Sequence, residues 1–386
     1  MQKIIPYGKQ YLDSADIKNV VKALKQDLIT TGRSVKEFEK KLKKYFNVKF
    51  CATCSSGTAA LHIAFKAADI KPGDKIIIPS INFIASYNLL TTLGAKVYLS
   101  DIDPLTGQMS PENFVQCIKK NKIKNLKAVV LMYLGGVPNY IEEFYKLKLK
   151  HKFLIIEDAC HAFGSSYIYN NIKNHIGSAK HSDICTFSMH PLKSITTGEG
   201  GIVCTNKKKY FEKIKLFRSH GMKKYTFTKY DILYNGFNYR LSDINCALGS
   251  SQLNKINLFI KKRREITKNY IQFFRSHNEF IKVINFKNYQ LSSCHLLIVR
   301  VNFKNLKISK SFFISHLKKK GILCQYHYIP LYKFKIFRDK INRRNFLNSE
   351  NYHKSALSLP IFYELSYRDI KKISDIILKL INKYKK

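Results

Sequence analysis

From residue 49 onward, short apolar runs of strand length alternate with stretches whose apolar positions recur at helical spacing. Strands are expected at 49–53, 75–79, 96–100, 127–132 and 153–157, with helices at 57–68, 82–92, 111–120 and 139–149 between them. This βαβα rhythm predicts an α/β fold with a large, mostly parallel sheet and helices on both faces. Ahead of it, Asp13 to Lys25 reads as an amphipathic helix capped by Asp13 or Ser14, preceded by an extended Ile5-Pro6-Tyr7. A polar-tipped loop, Asp27 to Gly32, leads into a second helix, Val35 to Phe46. Residues 254–275 read as a long basic helix. A smaller C-terminal α+β domain is expected from about 280, with strand-like 295–303 and 322–327 and helices 308–320 and 367–384. The expected division is therefore 1–250 and 251–386.

Two further apolar runs, Ile184 to Phe187 and Ile202 to Thr205, flank a polar insert that holds Ser188, His190-Pro191, Lys193 and the cluster Gly198-Glu199-Gly200-Gly201. A lysine in a loop is ordinarily solvated. Burial or neighbouring cations would instead lower its pKa, and an uncharged amine attacks carbonyls.

Ligands of parallel sheets bind at the carboxyl ends of the strands, and three unusual stretches fall there. Ser55-Ser56-Gly57-Thr58 joins a strand to a helix, and its small residues leave helix N–H groups open to a phosphate. Phe83 follows the strand ending at Pro79; an aromatic there is usually packing. Glu157-Asp158-Ala159-Cys160-His161 follows a buried strand, and Asp158 could simply cap the next turn. Neither GxxxxGK[ST] nor GxGxxG after a strand occurs, which argues against a nucleoside triphosphatase or a dinucleotide enzyme.

The formal charge of +42, from 68 basic and 26 acidic residues, is spread along the whole chain and accompanies no nucleic-acid-binding signature. It is compatible with acidic substrates. No apolar run reaches membrane-span length and the N-terminus has no apolar h-region, so a cytoplasmic protein without membrane insertion is expected. Nine scattered cysteines, an odd number, suit reduced thiols. Cys51 and Cys54 have CxxC spacing but lack a second ligand pair, so no metal site is expected.

The motifs SSGTAAL, PSINFIAS, EDACHAFGS, FSMHPLKSITTGEGG, GFNYRLSDINCALG and GILCQYHYIPLY, in this order along essentially the whole chain, resemble the DegT/StrS-type nucleotide-sugar aminotransferases. The resemblance implies an aspartate-aminotransferase-like fold (PLP fold type I) and pyridoxal 5'-phosphate as cofactor. It implies that Lys193 holds the cofactor covalently and serves as acid and base, and that Asp158 pairs with the pyridine nitrogen. Phe83 would stack on the ring and His161 would flank its phenolic oxygen side. Gly57, Thr58, Ser188 and Asn238 would hold the phosphate, with Asn238 reaching across a homodimer; by itself an Asn before a helix also reads as an N-cap. Tyr7, the loop Asp27, Leu28, Ile29 and Thr30, and the run Gln325, Tyr326, His327 and Tyr328 match substrate-contacting places. FSMHPLKSITTGEGG, FRSHGM and QYHYIPLY look most like the pseudaminic acid branch, which moves the amino group of L-glutamate to C4 of a UDP-linked 4-keto-6-deoxy-N-acetyl hexose. The alternative is another keto nucleotide sugar, aminated at C3 or C4. The phosphate turn departs slightly, with Gly57 where relatives often have Ala.

Overall fold

A computed structural model describes residues 3–226, 228–284, 289–337 and 345–386. Helix α1 (Ser14–Leu24) opens on a capping box, in which Asp13 accepts from the Asp16 amide and Asp16 returns the bond. Helix α2 (Arg33–Phe46) presents Val35, Phe38, Leu42 and Phe46 to the core. Then come β1 (Phe50–Cys54), α3 (Gly57–Ala67), β2 (Lys75–Pro79), α4 (Ala85–Thr92), β3 (Lys96–Ser100) and α5 (Pro111–Lys120). The alternation continues through β4 (Leu126–Met132), α6 (Ile141–His151) and β5 (Leu154–Asp158). After a small hairpin, β6 (Ser166–Tyr169) and β7 (Ile172–His175), β8 (Ile184–Ser188) and β9 (Gly201–Thr205) complete the main sheet.

The seven strands lie in the order β1-β9-β8-β5-β4-β2-β3. All run parallel except β9, which is antiparallel to both of its neighbours. Strand alternation explains the two cores. Ile76, Ile78, Val130 and Ile156 pack on one face with α3 and its neighbours, while Ile77, Val129, Leu131 and Ile155 pack on the other with Phe114 and Phe144. Each such aliphatic side chain contributes about 1.5–3 kcal/mol by leaving water.

Beyond the sheet, α7 (Lys208–Arg218) leads to a hairpin of β10 (Met222–Lys224) and β11 (Tyr230–Ile232), then α8 (Asp243–Asn254) and the long α9 (Ile256–Phe274). The remaining elements are β12 (Ile281–Val283), β13 (Leu297–Val301), α10 (Lys310–Lys319), α11 (Leu347–Ser355), β14 (Ala356–Leu359) and α12 (Tyr367–Tyr384). Strands β12, β13 and β14 form an antiparallel sheet in that order. Ile5 packs in the core of this sheet, so the chain's start is folded onto its end.

Two expected elements differ. Residues 322–327 are not a strand: they make only isolated bridges, Ile322 with Ile5 and Gln325 with Ser358. Helix α4 starts at Ala85 and not at 82, because Ser80, Ile81, Asn82 and Phe83 are spent on the turn that leaves β2. The CxxC pair is split by strand geometry. Cys51 faces Cys204 across the β1–β9 pair, with their sulfurs 3.7 Å apart, while the Cys54 thiol turns to the Ser56 carbonyl. All nine cysteines are free thiols.

Candidate active site

Strands β1, β2, β5 and β8 all deliver their carboxyl ends to one edge of the sheet. At the end of β1, the Ser56 hydroxyl caps α3 by accepting from Ala59 N at 3.0 Å. The first-turn amides of Gly57 and Thr58 precede the intrahelical bonding pattern, so this helix end is a seat for an anion. Ser188, at the end of β8, stands directly beside it. A Cβ on Gly57 would fall 2.7 Å from Ser188 Cβ and 3.3 Å from Cys160 Sγ.

Lys193 sits in the connection between β8 and β9, which is bonded mostly to itself. Met189 N donates to Gly200 O at 2.7 Å, Lys193 N to His190 O at 2.9 Å and Thr197 N to Met189 O at 3.0 Å. The Thr196 hydroxyl also donates to Met189 O, and Asn245 of α8 donates to Thr197 O. Gly198 takes a positive φ of 80°, and at Gly200 a Cβ would strike the Thr197 hydroxyl at 2.2 Å. These two glycines are therefore required by the turn.

Burial pushes the Lys193 ammonium below the ordinary lysine value, with Cys160 and Asp158 pulling it back up. Asp158, at the end of β5, is buried, and burial raises its carboxyl above the usual range. Bonds from Cys160, the nearby Lys193 charge and Ser86 oppose that shift. Cys160 N donates to Asp158 Oδ1 at 3.2 Å. A buried carboxylate with so few donors suits a cationic N–H partner.

Phe83 is 52% exposed, and its ring centroid lies 5.9 Å from that of Tyr328 at a tilt of 50°. His161 is buried between two partners: Gly135 N donates to its Nδ1 at 3.4 Å, and its Nε2 lies 3.0 Å from Tyr328 Oη. His327 bonds the Ser358 hydroxyl through Nδ1 at 2.8 Å, and the half-exposed Tyr7 ring lies 5.5 Å from it. Burial, reinforced by the Lys193 charge, holds His327 down to about 3. It holds His161 well below the ordinary histidine value for the same reasons, with His327 adding to the effect.

The structure thus brings Gly57, Thr58, Phe83, Asp158, His161, Ser188, Lys193, Tyr7, His327 and Tyr328 to one edge. It places the other expected residues elsewhere. Asn238 is exposed and accepts from Arg240 N at 3.4 Å. Asp27, Leu28, Ile29 and Thr30 are exposed; Ile29 O accepts from Asp243 N and Thr30 bridges Ser242, which ties the loop to the start of α8. Gln325 is exposed and accepts from Tyr326 N. Tyr326 turns away from the cleft, with the Lys310 amine 4.3 Å from its ring centroid.

Three residues at or near the site carry no obvious signal in the sequence. His295 is buried, its ring 4.5 Å from that of His161. Gly135 supplies the amide that fixes His161. Asp243, buried at the start of α8, accepts from the amides of Gly32, Ser34 and Val35, and so caps α2 from across the chain. A cavity of about 1180 Å³ lies away from all of these, between residues 104–106 and the β12–β13 face that carries Lys282 and Arg300. Among the described residues no helix is long and apolar enough to cross a membrane.

Comparison with known proteins agrees with this geometry. The model of the DegT/DnrJ/EryC1/StrS aminotransferase family matches residues 10–378. A UDP-4-amino-4,6-dideoxy-N-acetyl-beta-L-altrosamine transaminase of Campylobacter jejuni subsp. jejuni is 36% identical over 384 residues, covering 99% of each chain. Helicobacter pylori PseC, an aminotransferase involved in the biosynthesis of pseudoaminic acid, superposes with a TM-score of 0.90 at 30% identity, over 99% of this chain and 100% of that one. A putative sugar aminotransferase of Streptococcus pneumoniae, solved in its PLP form, gives 0.89 at 25% identity over 98% and 99%. The chain belongs to the DegT/DnrJ/EryC1/StrS aminotransferase family.

Proposed function

We propose that this chain is a pyridoxal-phosphate-dependent transaminase. In this reading it moves the amino group of L-glutamate to C4 of a UDP-linked 4-keto-6-deoxy-N-acetyl hexose, giving UDP-4-amino-4,6-dideoxy-N-acetyl-β-L-altrosamine for pseudaminic acid. The name of the 36% identical relative supports the sugar. The observation that carries the chemistry is the meeting of a lysine amine depressed by burial with a buried carboxylate, beside a bare helix N-terminus.

The residues present fit the cofactor. Gly57, Thr58 and Ser188 would hold its phosphate, Asp158 its pyridine nitrogen and Phe83 its ring, and Lys193 would hold it covalently. Bound there, pyridoxal phosphate supplies an aldehyde that takes up amino groups and a ring that withdraws electrons from the carbon losing a proton. Lys193 then acts twice. Its amine, its pKa lowered by burial, would anchor the cofactor; freed by glutamate, Nζ would take the proton from the donor's Cα and pass it to the cofactor's C4′, and in the sugar half-reaction it would carry a proton the other way, onto the sugar's C4. Positioned proton transfer of this kind is worth roughly 10²–10⁴-fold. The Asp158 carboxylate would keep the pyridine nitrogen protonated, while His327 and Tyr7 would face the sugar. Asn238 and the loop Asp27 to Thr30, exposed on one chain, would complete the partner's site in a homodimer. With the chain divided at about 250, as 1–250 and 251–386, the sugar would meet Tyr7 from the earlier part and His327 from the later one.

The test is a panel of keto nucleotide sugars, assayed with glutamate after the purified protein is checked for cofactor absorbance near the visible edge. Amination of the 4-keto-6-deoxy-N-acetyl hexose in preference to its isomers is expected. Preference for a 3-keto sugar would overturn the assignment.

A further inference from the structure

The bonds around His161 have a direction. A backbone amide can only donate, so the Gly135 N–H at 3.4 Å makes His161 Nδ1 an acceptor. Burial, with the Lys193 charge beside it, keeps the ring neutral. The single ring proton is therefore on Nε2, which faces Tyr328 Oη at 3.0 Å. Tyr328 accepts that bond, and its own O–H proton has to point elsewhere.

The donor at the head of the chain is held rigidly. Gly135 and Gly136 take positive φ values of 71° and 90°. A Cβ on Gly136 would lie 2.1 Å from Ser293 Oγ and 2.5 Å from His161 O, so the turn is pressed against His161. The Ser165 and Ser292 hydroxyls both donate to Gly136 O, at 2.6 and 2.9 Å. The buried His295 ring backs the His161 ring at 4.5 Å. On the far side, the Tyr328 ring faces Phe83, and its phenol stays protonated because burial and the neighbouring Asp158 push its pKa up.

We propose that the oriented chain from Gly135 through His161 makes Tyr328 an obligate hydrogen-bond donor into the cleft, aimed at the oxygen of the carbonyl being aminated. The inference rests on the transaminase reading for the identity of that oxygen, which would be the sugar's C4 ketone in one half-reaction and the keto acid's in the other. His161 and Gly135 are positioning residues that act through Tyr328. A donor placed where negative charge gathers on oxygen strengthens as the carbonyl is attacked, so its effect falls on rate more than on binding.

The experiment has two readouts. Nitrogen-15 NMR of histidine-labelled holoenzyme, with the His161 resonances identified by their loss in His161→Gln, reports the tautomer without any turnover. The Nε2–H form is expected; an imidazolium or the Nδ1–H form would overturn the proposal. Single-turnover kinetics from the pyridoxamine form should show Tyr328→Phe slowed roughly 100-fold in kcat with KM little changed, for the keto sugar and for 2-oxoglutarate alike. His161→Gln, whose amide can accept from Gly135 and donate to Tyr328, should retain most of the rate, while His161→Leu should fall with Tyr328→Phe. A wild-type rate in Tyr328→Phe, or equal loss in Gln and Leu, would overturn it. If wild type itself ignores the keto sugar while the tautomer and the 2-oxoglutarate effect hold, the sugar assignment fails and the oriented donor stands.

Discussion

Gly57 and Ser188 are packed so closely that the smallest side chain on Gly57 would overlap Ser188, with Cβ atoms 2.7 Å apart. The first turn of α3 and the end of β8 thus form the two sides of one narrow seat. Gly57→Val is expected to displace Ser188, cost about 1–3 kcal/mol by overpacking and weaken cofactor binding at least tenfold. Titration of apoenzyme with pyridoxal phosphate, followed by absorbance, checks this. Unchanged affinity would remove Gly57 and Ser188 from the phosphate site.

Lys193→Ala should abolish both the borohydride-trapped cofactor adduct, read by intact mass, and turnover, with a rate loss of roughly 10³-fold or more once anchor and base are both gone. An adduct surviving in that variant would point to another lysine.

Asp158→Asn should still trap cofactor yet slow removal of the glutamate Cα proton by about 10²-fold, since a neutral amide cannot hold the pyridine nitrogen charged. Stopped-flow measurement of the glutamate half-reaction gives the answer. An unaltered rate would leave Asp158 a structural cap.

Much of this arrangement is legible in the chain. Lys193, Asp158, Ser188 and Phe83 each follow an apolar run of strand length, and parallel strands bring such ends together. His295 is not legible. It is one histidine in an apolar stretch, and only the folding of β13 against the main sheet sets it on His161. Asp243 reads as an ordinary acid in a helix's first turn, yet its bond to Gly32 spans 211 residues. The run 322–327 has strand-like residues, but it meets the open edge of β14 only at Gln325 with Ser358 and the N-terminal segment only at Ile322 with Ile5, too few bonds for a strand. Gly135 reads as part of a common turn. Its importance lies in an amide direction, which side-chain patterns do not encode.

The neutral histidines predict acid sensitivity. His327 is held at about 3 against an ordinary 6.5, so the unfolded chain binds a proton that the native chain refuses. Stability from this source is intact above about pH 6.5 and falls as pH drops towards 3, by about 2 kcal/mol at pH 5. His161 and His295, both held well below the ordinary value, add in the same direction. Urea unfolding of the apoprotein at pH 7 and pH 5 should show a smaller loss for His327→Gln than for wild type. Equal losses would mean that the native ring accepts the proton.

The homodimer reading predicts complementation. Lys193→Ala and Asn238→Ala should each be inactive alone, and mixing them under subunit exchange should restore part of the activity, because one site of the heterodimer receives both lesions and the other none. Exchange confirmed by native mass spectrometry with no recovered activity would exclude shared sites.

The antiparallel run of β9 has a mechanical consequence. Because the chain returns beside β8, the lysine loop is stapled into the sheet at both ends, Ser188 opposite Gly201 and Phe187 opposite Ile202. Were the amine to let go of a bound cofactor, the strand pairing on both sides would hold the ends of the loop in place. All travel is left to the four methylenes of Lys193, a tether a few ångströms long. In the transaminase reading the nitrogen would move over one small arc, and that arc would have to serve for releasing the cofactor, carrying the proton and taking the cofactor up again.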